Sequence, residues 1–340
     1  MNLQAVFCPY EGCPDKGVVG NGNIVWWHIR RRRCKCKTCG KTFSYRQGTM
    51  FEGLRTEEQT VSLVVALLGH GCPRQAIVAA FGLDERTVAD WQARAARQAQ
   101  RVHEQQVRPL SLGQVQVDEI RLKLQGVIVW VAMAIAVGSR LWLGAAVSPQ
   151  RDTALIDRIA AIVRVWALPE PLVVAFDGFA AYPKAFLRAF RDPLRTGHVG
   201  RPRLIVWEQL TLVQVVKHTT GGTFSVARFV LHGSCTMLSH ILRASQHGAG
   251  GINTAYIERL NATFRACFAP FVRRTRALAR QPQTVHNGVF LVGCLYNFCA
   301  PHRSLDGQTP AMAAGLTDHV WPVSELLWYR VPPVRLLSTT

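Results

Sequence analysis

Three acids far apart in the chain, Asp118, Asp177 and Glu258, stand where buried elements would carry them to one place. Asp118 lies in GQVQVDEIRLKL, Asp177 in PLVVAFDGFAAYP and Glu258 in INTAYIERLNATFR. Carboxylate oxygens are hard donors suited to magnesium, which keeps several waters and takes few protein ligands. Two such ions, about 4 Å apart, can clamp the attacking and leaving oxygens of an in-line phosphoryl displacement. The chain carries 40 Lys and Arg against 21 Asp and Glu, a net charge of +19. That excess suits a polyanionic partner such as nucleic acid. Acids on rigid elements of so basic a chain point to divalent metal and phosphodiester chemistry.

A second group of residues has softer chemistry. Cys8-Pro-Tyr-Glu-Gly-Cys13 and Cys36-Lys-Thr-Cys39 are two short pairs at zinc-ribbon spacing. Each would give two thiolates to a tetrahedral Zn²⁺. Pro9, Gly12 and Gly40 sit where tight knuckles need turn residues. Cys34 with Cys39 repeats the spacing of the first pair and so competes with Cys36; the tighter C-x2-C pair favours Cys36. A segment this small cannot close a core alone, so metal would supply its folding energy. Trp26, Trp27, Phe43 and Tyr45 are expected to pack around it. Cys294 and Cys299 lie on an apolar helix and, with Cys72, Cys235 and Cys267, read as core thiols.

The elements that must position the acids follow from hydrophobic period. Val115, Val117, Ile120, Leu122 and Leu124 frame a strand with Asp118 in its middle. Glu119, its neighbour, should point to the opposite face. Residues 126–136 and 140–147 read as a hairpin, and 152–166 as a helix with Leu155, Ile159, Ile162 and Trp166 on one side. Leu172 to Phe176 is a fully apolar strand that ends at Asp177. The carboxyl ends of buried strands are where open α/β sheets hold ligands. Glu258 falls on a helix that Asn253 can cap, with Ile257, Leu260, Phe264 and Cys267 as its buried stripe. Glu258, Asn261 and Arg265 share a neighbouring stripe.

Upstream, 56–103 reads as helices. Thr56-Glu57-Glu58-Gln59 carries a capping signature. A short helix at 73–81, a turn at Gly82-Leu83 and a longer helix capped by Asp84 follow helix-turn-helix grammar. Arg86, Thr87, Asp90 and Arg94 are then expected to face a DNA groove. Residues 97–112 read as a helix tail and linker. His28 to Arg46 holds eight basic residues and no acid, with Arg30, Arg31, Arg32 and Arg33 in one run suited to phosphates. A second cluster runs from Arg259 to Arg280.

No secretory signal opens the sequence, and ten cysteines then suit a reducing compartment. The apolar stretch 127–147 has the length of a membrane span, but Gly138, Ser139 and Arg140 break it, so a hairpin is expected and a membrane is not.

The succession of strand, strand, strand, helix, strand resembles the ribonuclease-H-like fold of polynucleotidyl transferases. The chain as a whole resembles a DDE transposase of a short bacterial insertion sequence, nearest the insertion-sequence-one type. The resemblance rests on RCKCKTCGKTFS (33–44), the helices near 60–97, QVDEI (116–120), FDGFAAYP (176–183), NTAYIERLNATFR (253–265) and YNFCAPHRSL (296–305). Arg121 stands where such enzymes often carry an aromatic, and 196–250 matches only loosely. The resemblance implies an α/β chain with a zinc ribbon at 1–50 and a helix-turn-helix at 54–108. A ribonuclease-H-like catalytic domain at 112–310 and a C-terminal tail at 311–340 follow. It implies that Asp118, Asp177 and Glu258 bind Mg²⁺ (or Mn²⁺) and cut and join DNA strands, with Arg259 and Arg265 on phosphates. A homo-oligomer on duplex DNA, in the cytoplasm and on the nucleoid, is the expected setting. The alternative is a zinc-ribbon and helix-turn-helix regulator whose catalytic domain is silent.

Overall fold

The computed structural model describes residues 2–195, 197, 200–220, 223–245, 251–272, 279 and 281–332. At the N-terminus, β1 (Ile24–His28), β2 (Arg33–Cys36) and β3 (Thr42–Ser44) form a three-stranded antiparallel sheet. Its small core is built mostly from cysteines and aromatics, including Phe43 and Tyr45, both buried. Trp27 departs from expectation: it is 59% exposed, with the Lys35 ammonium over its ring.

Three helices follow, α1 (Glu58–Gly69), α2 (Arg74–Phe81) and α3 (Glu85–Gln106). The expected Thr56 cap is not formed: α1 is capped at Glu57, without a side-chain bond, and Glu58 pairs with Arg32 and Arg46. Gly82 takes the left-handed conformation (φ 62°) that ends α2, and Asp84 Oδ1 accepts from the Arg86 and Thr87 amides to start α3. As expected, the tail of α3 runs on past 97, to Gln106, and a non-helical linker begins at Val107. One face of the helix's second half is buried: Cys294 Sγ donates to Ala99 O (3.0 Å), and His103 Nε2 lies 3.0 Å from Leu143 O. Burial lowers His103 to about 4, so it sits neutral in the core.

The central sheet contains β4 (Gln114–Lys123), β5 (Ile128–Ala136), β6 (Trp142–Ser148), β7 (Leu172–Phe176), β10 (Leu210–Thr220) and β11 (Thr223–His232), in the order β11-β10-β7-β4-β5-β6. The short β8 (Arg191–Leu194) and β9 (Arg203–Val206) pair apart from it. Strands β4, β5 and β6 are an antiparallel meander; β7 is parallel to both β4 and β10. This mixed α/β sheet is covered on both faces. On one, α4 (Thr153–Trp166) and α5 (Ala181–Ala189) pack on Val115, Val117 and Val174. On the other lie α6 (Cys235–Ser245), α7 (Ala255–Cys267) and α8 (Pro282–Cys294), with Ile120 and Leu122 beneath α7 and α8. Glycine lets α8 lie close on β6, since a Cβ at Gly293 would overlap the Trp142 ring.

After α9 (Pro310–Ala313), α10 (Val323–Trp328) returns to the N-terminal helices: Met50 N donates to Leu327 O (3.1 Å) and Phe51 packs on Trp328. Of the segment expected as a tail, the described part thus joins the core, with Ala311, Trp321, Leu326 and Leu327 buried. One apolar cluster runs from Met50 through α1–α3 and the sheet to Leu327. Cys294 is buried as expected, whereas Cys235 is exposed because it opens α6 on the solvent side. Among the described residues no helix is long and apolar enough to cross a membrane, and 127–147 is the β5–β6 hairpin.

Candidate functional site

The four ribbon cysteines converge. Cys8, Cys13, Cys36 and Cys39 bring their sulfurs within 4.8 Å of one another. Sulfurs lie 3.7 Å apart for Cys8–Cys39 and 3.9 Å for Cys13–Cys36. A tetrahedron with Zn–S near 2.3 Å has edges of roughly 3.8 Å, so the donor set fits zinc. Cys34, two residues back on β2, is buried but outside the group. Burial pushes the Cys8 thiol up. At Cys36 burial acts the same way, but hydrogen bonds from the Cys39 and Thr38 amides and the Thr38 hydroxyl outweigh it and bring the thiol to about 7. Asn23 Nδ2 donates to Asp15 Oδ2 (3.0 Å) and reaches Cys36 Sγ (3.8 Å), tying the two knuckles together.

The acids converge by strand register. Gln116 of β4 pairs with Ala175 of β7, so two residues on Asp118 is level with Asp177, just past the end of its strand. Lys217 of β10 comes alongside, because β10 pairs Gln214 with Phe176. Helix α7 then brings Glu258. A cavity of about 270 Å³ is lined by Asp118, Asp177 and Glu258, with Lys217 and Thr254.

Gln116 docks that helix. Its Oε1 accepts from the Tyr256 and Ile257 amides, 3.0 Å each, and its Nε2 donates to Asn253 O at 2.7 Å. The side chain is fully buried and satisfies two of the free N–H groups every helix start leaves. Asn253 Oδ1 accepts from Ala255 N (3.0 Å), but the cap falls one residue later than expected, at Thr254, which makes no side-chain cap bond. One turn on, Asn261 Nδ2 donates to Asp118 Oδ2 (2.7 Å).

Each acid is held. Asp118 Oδ1 accepts from Glu119 N (2.9 Å) and Asp177 Oδ1 from Phe179 N (2.9 Å). Arg151 Nη2 stands 3.3 Å from Asp177 Oδ2 and also pairs with Glu119. Glu258 Oε1 accepts from Thr254 Oγ1 (2.6 Å) and pairs with Lys217. Burial, then the charges of Glu119, Asp177 and Glu258, raise Asp118 to about 7. Crowded, all-oxygen and short of cations, the set fits a hard divalent ion.

Glu119 is the residue sequence reasoning set aside. It does point to the opposite face, where Tyr182 of α5 donates its hydroxyl to it. Its carboxylate nonetheless reaches within 4.8 Å of those of Asp118 and Asp177. Glu258 lies outside that tight group but lines the same cavity. Arg151, Lys217 and Gln116 were also missed; the only sequence signal was Gln116, a polar residue on the apolar face of a strand.

The basic residues divide. Arg30 and Arg31 are exposed, Arg32 pairs with Glu58, and Arg33 Nη2 donates to Thr42 O (3.1 Å) and Oγ1 (2.8 Å). Arg86 is exposed and Thr87 half-buried, but Arg94 is committed to Asp90 (2.7 Å) and Glu52 O (3.0 Å) rather than offered to a groove. Arg265 is half-buried on α7, and Arg259 faces away from the acid cavity. Arg273, Arg274, Arg276 and Arg280 of the expected cluster lie outside the described residues. Comparison with protein-family models and with curated proteins gave no match.

Proposed function

We propose that this chain is a Mg²⁺-dependent DNA-cleaving and strand-joining enzyme of the DDE transposase kind. The observation that carries the reading is the convergence on one cavity of Asp118 within β4, Asp177 just past the adjacent parallel β7, and Glu258 of α7. Strand succession supports a ribonuclease-H-like catalytic domain: three antiparallel strands, helix α4, then β7 parallel to a central β4, with Asp118 mid-strand and Asp177 after the fourth strand. The Cys8, Cys13, Cys36 and Cys39 group supports a structural zinc ribbon, and α2–turn–α3 supports a helix-turn-helix.

Asp118, Asp177 and Glu258 would hold Mg²⁺ or Mn²⁺, which when bound supplies Lewis acidity toward a phosphodiester and acidifies a water nucleophile. The protein's own part is positioning. Asn261 fixes one oxygen of Asp118, Thr254 orients Glu258, and the Phe179 amide turns Asp177 back toward β4. Arg151 offsets the charge of Glu119 and Asp177 from one side. Arg30, Arg31 and Arg86, exposed and without an acid partner among the described residues, would position duplex phosphates. Phe229 and Leu231, exposed on edge strand β11, support association with a second copy.

The test is Asp118→Asn, Asp177→Asn and Glu258→Gln in a Mg²⁺-dependent strand-cleavage assay on duplex DNA. Each is expected to lose at least a hundredfold; undiminished cleavage in one removes that residue from the site. One observation favours the alternative, a DNA-binding regulator: Lys217 holds Glu258 and competes with a cation for it. That reading expects all three variants, and Lys217→Met, to bind DNA and regulate as the parent does.

A further inference from the structure

Behind α7 lies a second cavity, of about 450 Å³, lined by Arg140, Tyr256, Arg259, Tyr296, His302 and Arg303 among others, with no Asp or Glu in its wall among the described residues. Arg140 anchors it. The residue is only 8% exposed, its Nη1 is wholly buried, and no described group accepts a hydrogen bond from it. The Tyr256 ring, 4.0 Å from the guanidinium carbon, is its compensation. A buried arginine ordinarily carries a partner acid. Arg140 is also held at φ 60° in the β5–β6 turn, a left-handed conformation that disfavours side chains. Strain and a missing counter-charge at one residue mark a site rather than a packing element.

The surrounding groups have the chemistry of an oxyanion receptor. Arg259 and Arg303 are exposed at the rim and, among the described residues, pair with no acid. Burial and the charges of Arg259 and Arg140 hold His302 below its ordinary value, a further sign of unmatched positive potential. Three guanidinium groups approaching from a strand turn, a helix and a C-terminal loop surround their guest, which suits a tetrahedral phosphate better than a planar carboxylate.

We propose that this cavity binds a phosphate group, and that its source is the backbone of bound DNA. The choice of DNA rests on the function proposed above; the phosphate site itself does not. Helix α7 is the shared wall. Glu258 projects into the acid cavity, while Tyr256 and Arg259 project into this one. Across a helix about 10 Å wide, a phosphate held here would flank the one at the acids.

The experiment uses the zinc-loaded full chain and inorganic phosphate as probe, read by ³¹P line broadening. Expected is saturable broadening in the parent, competed by sulfate and not by acetate, and weakened at least tenfold in Arg259→Gln/Arg303→Gln. Both substitutions are at exposed positions, so folding is spared. Arg140→Gln should abolish binding, and Arg140→Lys, which keeps the charge, should restore part of it. Equal broadening in parent and double variant, or none in the parent, overturns the site. Duplex DNA separates the sources. If its backbone fills the site, DNA displaces phosphate and the double variant loses about one unit of salt slope. If phosphate binds but DNA leaves it in place, a DNA source is overturned. Because phosphate binding needs no cleavage, failure of the catalytic reading would leave this result standing.

Discussion

Gln116→Met tests whether one buried amide assembles the acid site. Methionine matches the volume and cannot hydrogen-bond, so packing is kept while three bonds go: from the Tyr256 and Ile257 amides and to Asn253 O. At about 1 kcal/mol net each, the loss is roughly 3 kcal/mol, and more if the two amides find no new acceptor. Every 1.4 kcal/mol or so is a decade in an equilibrium constant, so the start of α7 should open about two decades more often. Hydrogen exchange by mass spectrometry on the full chain reads this directly. Peptides spanning 252–258 should lose about a hundredfold in protection, while β7 peptides keep theirs. Activity should fall further than stability: a displacement of about 1 Å at Glu258 costs on the order of a hundredfold. Gln116→Glu keeps the acceptor and should protect the two amides better than methionine does. Unchanged protection and cleavage in Gln116→Met would refute the idea that this side chain docks the helix.

Four further outcomes are expected. Metal analysis should find one Zn per chain, lost in Cys36→Ser and kept in Cys34→Ser, since only Cys36 belongs to the sulfur group. Asp118, held near 7 in the fold against an ordinary 3.8, makes metal-free stability greatest below about pH 4 and progressively lost as pH rises toward 7. Asp118→Asn should therefore raise the metal-free Tm at pH 8 and leave it unmoved at pH 4; a fall at pH 8 would contradict the crowding. DNA affinity should drop steeply with salt, and Arg30→Ala/Arg31→Ala should flatten the slope by about 2, a change absent if these exposed residues miss the phosphates. Tyr182→Phe removes the hydroxyl that holds Glu119 and should weaken Mg²⁺ dependence of cleavage several-fold; unaltered Mg²⁺ titration would put Glu119 outside the site.

Local pattern made the central strands legible. Alternation around Asp118 and the apolar run before Asp177 are dictated by burial on a pleated sheet, and both strands lie where their residues place them. The cysteine spacing was legible for a similar reason, because a knuckle closes within a few residues. Long-range pairing was not. Nothing near Lys217 or Arg151 announces that β10 or the loop before α4 will meet the acids. Glu119 points as expected, but its part in the acid group was missed because alternation fixes the direction of a Cβ, not the reach of a two-carbon arm. The helix tail at 97–106 was legible but its packing was not, because polar residues there conceal a buried stripe, Ala99 and Val102 among them, whose burial depends on α8.

Helix α3 has a consequence for where a cut would fall. It is one unbroken 22-residue rod, about 33 Å long at 1.5 Å per residue. Arg86 rides on its outer end and His103 is locked under β6 at the other. On the proposed function, the DNA-reading and DNA-cutting parts would share a single shaft with no hinge in it. Such a shaft acts as a ruler: at about 3.4 Å of rise per base pair it spans close to one turn of duplex. Lengthening it by a helical turn should shift the cleavage position along the DNA rather than abolish cleavage. Placing a glycine pair at its middle should blur the position instead.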